Sequence, residues 1–400
     1  MHFSQRTAWN TEESDLARAH RLRLSSGLPI VDLTASNPTR CGFTYPDDLL
    51  YPLTDPAAFD YDPDPRGSHS ARQAVCAYYH DHNANLDPNQ LILTTSTSEA
   101  YAFLFKLLCD PGDEILVPQP SYPLFDFLAD IETVQLAYTP LIYDHGWQLD
   151  LEILRRSITP HTRAIVLVHP NNPTGHYTTA SEAQALAAFC GEHNLALIVD
   201  EVFLDYPFAD PATAAETFAG RELACPVFVV SGLSKIVGLP QMKAAWLAAS
   251  GPGTSEALAR LEVIADTYLS MNAPIQGALP IWLNQRTQIQ SQIRQRVQAN
   301  LAELDRQLAF QSDRLVNRLS VQGGWYAILR IPALQPDEQT VRELLEVGIW
   351  IHPGHFFGMS ATGWLVVSLL TPNPDFSTGI KVVLTHLGRN QEGNSTQLKT

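Results

Sequence analysis

Between about residues 60 and 250 the chain alternates short apolar runs with longer mixed stretches. The runs lie at 91–95 (LILTT), 114–118 (EILVP), 164–170 (AIVLVHP), 195–200 (LALIVD), 227–232 (VFVVSG) and 244–249 (AAWLAA). Each is bounded by polar or turn residues and is rich in aliphatic and β-branched side chains, which predicts strands buried on both faces. Segments 98–108 and 180–193 between them read as helices. Strands alternating with helices imply a mainly parallel sheet, doubly covered. Segment 274–310, rich in Gln and Arg, predicts a long solvated helix linking two lobes. Beyond it, GGWYAILRIP, VGIWIHPG and GWLVVSLL predict a smaller α+β domain, completed by the N-terminal segment up to about Tyr45. The expected fold class is therefore α/β, with a large domain over 46–275 and a small one built from 1–45 and 276–400. The first 20 or so residues and the tail from Arg389 are polar and aperiodic, and are expected to be arms or disordered ends.

Charge and composition narrow the function. Against 26 basic residues stand 42 acidic ones, a formal charge of -16, which repels phosphate backbones and anionic membrane surfaces. A small-molecule partner is expected, with no nucleic acid and no membrane. The five cysteines (Cys41, Cys76, Cys109, Cys190, Cys225) are odd in number and far apart, without C-x-x-C or metal-ligand spacing. That excludes a disulfide framework and points to a reducing cytoplasm without a metal site. The first residues hold no apolar core of signal-peptide length, and no run is long enough to span a bilayer.

In an open parallel sheet, ligands collect outside the carboxyl ends of the strands. Four segments fall there. After LILTT comes Ser96-Thr97-Ser98-Glu99-Ala100, where a helix begins and free N–H groups, the dipole and hydroxyls make an anion site, although Ser and Thr are also the commonest N-caps. After AIVLVHP comes Asn171-Asn172-Pro173-Thr174-Gly175, a polar turn. Strand LALIVD delivers Asp200, whose carboxylate needs a cationic partner at an apolar strand end; a protonated pyridine nitrogen is such a partner. The next strand runs into Ser231-Gly232-Leu233-Ser234-Lys235, where a desolvated lysine becomes a nucleophile able to form imines.

In this order the segments resemble the class I/II aminotransferases, pyridoxal-5′-phosphate (PLP) enzymes of fold type I, over about residues 36 to 368. The resemblance implies a Schiff base on Lys235, preceded by Ser234, and a ring nitrogen paired with Asp200. It also implies Asn172 on the phenolic oxygen, Tyr122 of Pro120-Ser121-Tyr122-Pro123 stacked on the ring, and Thr97 and Ser98 on the phosphate. Tyr61, with Gly67 and Ala71-Arg72, resembles the segment whose tyrosine reaches the phosphate of a partner subunit, which implies a homodimer. Three positions depart from the family. Phe203 stands where a tyrosine donates to the phenolic oxygen, Lys243 where an arginine meets the phosphate, and Val366 where an arginine takes the substrate carboxylate. Arg40, after Ser36-Asn37-Pro38-Thr39, lies where the family's N-terminal segment crosses the active site; it is either a replacement for that arginine or a surface residue. His352 and His355 flank Pro353-Gly354 near the expected mouth, and Gly323-Gly324-Trp325-Tyr326 lies near the pocket; all have structural readings of equal weight. The activity implied is transfer of an amino group from an amino donor to a 2-oxo acid. Elimination or decarboxylation by the same fold is the alternative, and a non-catalytic PLP-binding regulator is a further one, disfavoured by a short N-terminal arm with no room for a DNA-binding module.

Overall fold

A computed structural model describes every residue except 124, 210–213, 215, 312–313 and 398–400, and for 389–397 the backbone alone. The apolar runs all form strands of one seven-stranded sheet: β1 (Leu91–Thr94), β2 (Glu114–Gln119), β3 (Gln135–Pro140), β4 (Thr162–Val168), β5 (Ala196–Asp200), β6 (Val227–Gly232) and β7 (Ala245–Ser250). Their order is β1-β7-β6-β5-β4-β2-β3. Only β7 runs antiparallel to its neighbours. β3 has no counterpart among the predicted runs. It is one of the two edge strands, and of its six residues only Thr139 is buried, so its sequence carries no apolar signature.

The two-residue period of a strand sorts its side chains onto opposite faces. Leu197 and Val199 of β5 join one core cluster, whereas Ala196 and Ile198 join the other. The first cluster is covered by helices α1 (Asp15–Ser25), α2 (His69–His80) and others behind it; the second is covered by α3 (Thr97–Leu108) and by helix 254–268. By that alternation Asp200, two residues after Ile198, falls on the α3 face, and Glu201 on the opposite one. This parity decides which helix can reach each carboxylate.

A four-stranded antiparallel sheet forms the second layer: β8 (Asn317–Arg318), β9 (Tyr326–Arg330), β10 (His352–Pro353) and β11 (Trp364–Ser368), in the order β8-β9-β11-β10. The N-terminal segment makes backbone bonds to this part of the chain. Val31–Asp32 pairs in parallel with Ile349–Trp350, and the Leu33 carbonyl accepts the Ser368 N–H at 2.7 Å.

The long helix α4 (Ala273–Ala309) departs from the solvated linker predicted from its Gln and Arg content. It does join the two layers, but Ile275, Leu279, Trp282, Ile289, Ile293, Val297 and Leu304 form a buried stripe along its length. Its buried polar residues are satisfied by carbonyls: Gln290 donates to Ile236 O at 3.0 Å, and Asn300 to Leu369 O and Thr371 O at 2.8 and 2.7 Å. The chain ends also differ from expectation. Helix α1 begins at Asp15, capped by Ser14, whose hydroxyl accepts the Ala17 N–H. The last helix, α5 (Asn373–Gln397), carries the expected tail on as helix, and the final residues 398–400 lie outside the described ones. Among the described residues no helix is long and apolar enough to cross a membrane.

Candidate active site at the strand ends

The exits of β1, β4, β5 and β6 hold the four predicted segments. At the first, Ser96 is consumed as the N-cap of α3, its Oγ accepting the Glu99 N–H at 3.1 Å. The Glu99 carboxylate folds back to accept from Thr95 N at 2.7 Å and Ser270 Oγ at 2.9 Å. Thr97 and Ser98 therefore occupy the first turn of a twelve-residue helix, where backbone N–H groups have no helical acceptor and the dipole is positive. A phosphate-sized anion is suited to such an end.

At the exit of β4 the turn folds on its own polar groups. Asn171 Oδ1 accepts from Thr174 Oγ1 at 2.9 Å. Gly175 has φ +67°, and a Cβ there would lie 2.4 Å from the Gly323 carbonyl, so only glycine lets this turn press against the start of β9. Asn172, between them, is 7 % exposed, and its Oδ1 is buried without a hydrogen-bond partner. Such an atom is costly unless something else meets it.

Asp200, at the end of β5, is held by two donors. Val202 N–H reaches its Oδ1 at 3.1 Å, and the Tyr101 hydroxyl reaches its Oδ2 at 3.2 Å. Burial pushes its carboxyl up to about 6, against the pull of those hydrogen bonds and of the Lys235 ammonium. Glu201, on the other face, accepts from Thr217 Oγ1 and from Phe218 N–H, both at 2.6 Å, and burial pushes it up to about 7.

Lys235 sits in the short helical turn Leu233–Ile236 that follows β6. Gly232 before it packs so closely on β7 that a Cβ would come 2.8 Å from that of Ala245. The Lys235 Nζ lies 5.0 Å from the ring centre of Trp325 and 5.7 Å from that of Phe203, and Tyr206 donates to its carbonyl at 2.5 Å. Burial pushes its ammonium down to about 8, with Asp200 working the other way. The two charges sense each other yet make no direct ion pair.

Other predicted residues fall around this centre or away from it. Tyr122 feels the Asp200 charge and is 42 % exposed, its ring edge-on to Phe125 at 6.4 Å. Ser234 lies in the lysine turn, partly buried. Lys243 is exposed, on a left-handed residue (φ 52°) ahead of β7. Tyr61 is 82 % exposed and lines a separate hollow with Asp64, Leu269 and Gln276. Arg72 is structural: it pairs with Asp64 at 3.0 Å and donates to Gly67 O at 2.9 Å.

The small sheet supplies the opposite wall. Tyr326 is nearly buried there, and Phe203 packs edge-on to Trp325 at 5.2 Å. Val366 is wholly buried in β11, opposite His352 of β10. His352 Nδ1 is buried without a partner, and burial pushes the ring down to about 4, so it is neutral. His355 and Arg40 are exposed. The residues that sequence reasoning missed are Tyr101 and Tyr206, whose one signal is a hydroxyl on an otherwise apolar, buried stretch, where it must find an acceptor.

Residues 58–375 match the family model described as Aminotransferase class I and II. An alanine aminotransferase of Mycobacterium tuberculosis is 30% identical over 275 residues, covering 66% of this chain and 62% of that protein. The glutamate-pyruvate aminotransferase AlaA of Escherichia coli is 29% identical over 271 residues, covering 66% of this chain and 65% of that one. The matched region thus spans somewhat under two thirds of these relatives' length. Among solved structures, an alanine aminotransferase from Pyrococcus furiosus superposes with a TM-score of 0.86 over 97% of this chain and 100% of its own, at 23% identity. An Escherichia coli aminotransferase gives 0.85 over 97% and 98%, at 22% identity; at that identity the likeness establishes the fold.

Proposed function

The chain belongs to the class I and II aminotransferases, and from that membership we propose that it moves an amino group between an amino acid, or a related amine, and a 2-oxo acid, with PLP held around Lys235. The observation that carries this reading is the separation of Asp200 from Lys235. Asp200 is buried and Lys235 partly buried, each senses the other's charge, and no ion pair joins them. A flat group that is cationic at one end and reacts with an amine at the other is chemically suited to this pair.

The remaining residues fit the same group. The orphaned amide of Asn172 suits a phenolic oxygen, since an amide presents a donor or an acceptor by a simple flip. The first turn of α3, with Thr97 and Ser98, suits a phosphate, and Lys243 adds a point charge to that end. Tyr122, which senses the Asp200 charge, would cover one face of the ring. When bound, the cofactor supplies an electron-withdrawing ring that makes the bond to the substrate's α-hydrogen breakable. The chain's own part is to hold charge and move the proton. Asp200 holds positive charge at its open side. Lys235, half-neutral near pH 8, is suited to take the proton from the substrate's α-carbon and to carry it a short way across the cleft. Trp325 and Phe203 keep water from its Nζ.

In this reading the large domain is 46–275, the small domain 1–45 with 276–400, and the enzyme a homodimer. The exposure of Tyr61, with Phe59 at 93 % and Tyr51 at 73 %, supports a surface covered by a second copy, where Tyr61 would serve the partner's phosphate. The cytoplasm is the compartment we propose, and the five free cysteines agree with it. Amino donors incubated with 2-oxoglutarate or pyruvate, with ammonia measured beside the keto product, test the activity. Amino acid formed from the oxo acid without ammonia is expected; ammonia release in its place would replace transfer by elimination. Borohydride trapping and peptide mapping should label Lys235, and light scattering at micromolar concentration should give twice the chain mass.

A further inference from the structure

Asp200 has a partner that comes from outside the strand ends altogether. Tyr101 lies on α3, 3 % exposed, its ring packed edge-on to Phe125 at 5.1 Å and tilted against Phe105 at 6.0 Å. The strand alternation that puts Asp200 on the α3 face brings the carboxylate within 3.2 Å of this hydroxyl. A buried phenol requires an acceptor, and Asp200 is the acceptor that Tyr101 has. Burial and the neighbouring charge hold the Tyr101 phenol well above its ordinary pKa, so it stays protonated and donates.

We propose that Tyr101 is a positioning residue that keeps Asp200 ionised and aimed, so that the carboxylate holds the ring nitrogen of bound PLP in its protonated form. This rests on the role given to Asp200 above. With Val202 N–H on Oδ1 and Tyr101 on Oδ2, the carboxylate is fixed in its rotamer while each oxygen keeps a lone pair free. Other groups that sense its charge are Lys235 from the β6 turn, Tyr122 from the β2 exit, Tyr79 from α2 and the adjoining Glu201 on the opposite face. His169, at the β4 exit, accepts the Thr178 N–H at its Nδ1. Lys235 alone among these opposes burial, and it is itself needed for the proton. Tyr101 is thus the side chain left to favour the anion permanently.

The sign follows. Removing the hydroxyl takes a donor from the charged form, so the Asp200 carboxyl rises above its present value of about 6. Near pH 6 most of the variant would then carry a neutral acid, unable to pair with a cation; at pH 8.5 both proteins carry the anion. Glu201 titrates in the same window but equally in both.

The test is equilibrium dialysis of PLP against the full-length protein stripped of cofactor, comparing parent, Tyr101→Phe and Asp200→Asn at pH 6, 7 and 8.5. Tyr101→Phe keeps the ring contacts with Phe125 and Phe105, and melting curves confirm folding. The expected result is PLP affinity roughly tenfold weaker than the parent at pH 6, closing to within about twofold at pH 8.5. A pH-independent loss, or none, in Tyr101→Phe while Asp200→Asn is weak at every pH overturns this inference and leaves the role of Asp200 standing. Parent-like binding by Asp200→Asn overturns that role first, and this inference with it.

Discussion

The two walls of the cleft are built from different material. On the side of the large sheet, Asn172, Asp200 and Lys235 sit at the ends of β4, β5 and β6, polar or charged and positioned by backbone that is buried on both faces. Across from them the small sheet offers Trp325, Tyr326 and Val366, aromatic or aliphatic and nearly all buried, with a histidine kept neutral behind them. One wall carries charge and the other carries shape. In the proposed reading one wall serves chemistry and the other substrate choice, and the two touch only where Trp325 and Phe203 approach Lys235.

The sharpest way to break that division is at Lys235. Lys235→Ala should lower turnover by about 10³-fold or more, since it removes both the imine-forming amine and the proton carrier. Its melting temperature should stay near that of the parent, because the side chain contributes a desolvated charge rather than packing. A large loss of stability in a thermal scan would mean that the lysine is structural.

On the shape wall the expected effect is on folding. Val366 has no exposure, so Val366→Arg buries an unpaired guanidinium and should cost roughly 3 to 5 kcal/mol in denaturant titration. Should the variant instead fold normally and gain affinity for carboxylate substrates, residue 366 opens onto the cleft and the wall is not purely apolar.

The charged wall should also leave a mark on the stability of the cofactor-free protein. Asp200 is raised to about 6 and Glu201 to about 7, so the native state binds more protons than the unfolded chain between pH 4 and those values. Stability then falls as pH rises through that window. Lys235, lowered to about 8, acts in reverse, and its deficit disappears as pH rises from about 8 towards its ordinary range. Asp200→Asn should flatten the acid window by up to about 3 kcal/mol, the equivalent of some two pKa units. Chemical denaturation at pH 4 and 6 reads this, and an unchanged slope would deny Asp200 its buried charge.

The smallest effect is expected where the two walls meet, at Phe203. Its ring lies beside both Trp325 and Lys235. Phe203→Tyr should restore a donor near the cofactor's phenolic oxygen and lower the pKa seen in the bound cofactor's absorbance by about 1 unit. No shift, or a rise, would show that the ring edge faces elsewhere.

Sequence reading reached the charged wall more easily than the apolar one. Six strands announce themselves as apolar runs because both faces are buried, and residues just past such runs must lie at the sheet's carboxyl edge; Asn172, Asp200 and Lys235 are found that way. Edge strand β3 is wet and gives no run. In α4 the stripe is hidden because Gln290 and Asn300 are buried on carbonyls from distant segments, partners that no local pattern contains. Tyr101 reads as an ordinary core residue of an apolar helix, and only the packing of α3 on β5 gives its hydroxyl an acceptor. Lys243, given to a phosphate by the family resemblance, is exposed in a left-handed turn, and that role stays with the proposal.

The junction between Leu33 and Ser368 sets an order of assembly. Ser368 bonds back to Leu33 and Ala35, the latter 333 residues earlier in the chain. Closing a loop of that length is entropically unfavourable unless the intervening chain has already collapsed, and domains generally fold as units, with the N-terminal ones first during synthesis. The large sheet lies wholly between the two partners, so residues 31–35 wait for their partners while it forms and while β11 is still being made. Ser36 follows directly on that junction. The cleft is thus closed in the last stage of folding, and a chain arrested before β11 would carry Lys235 and Asp200 on a folded sheet that is open on one side.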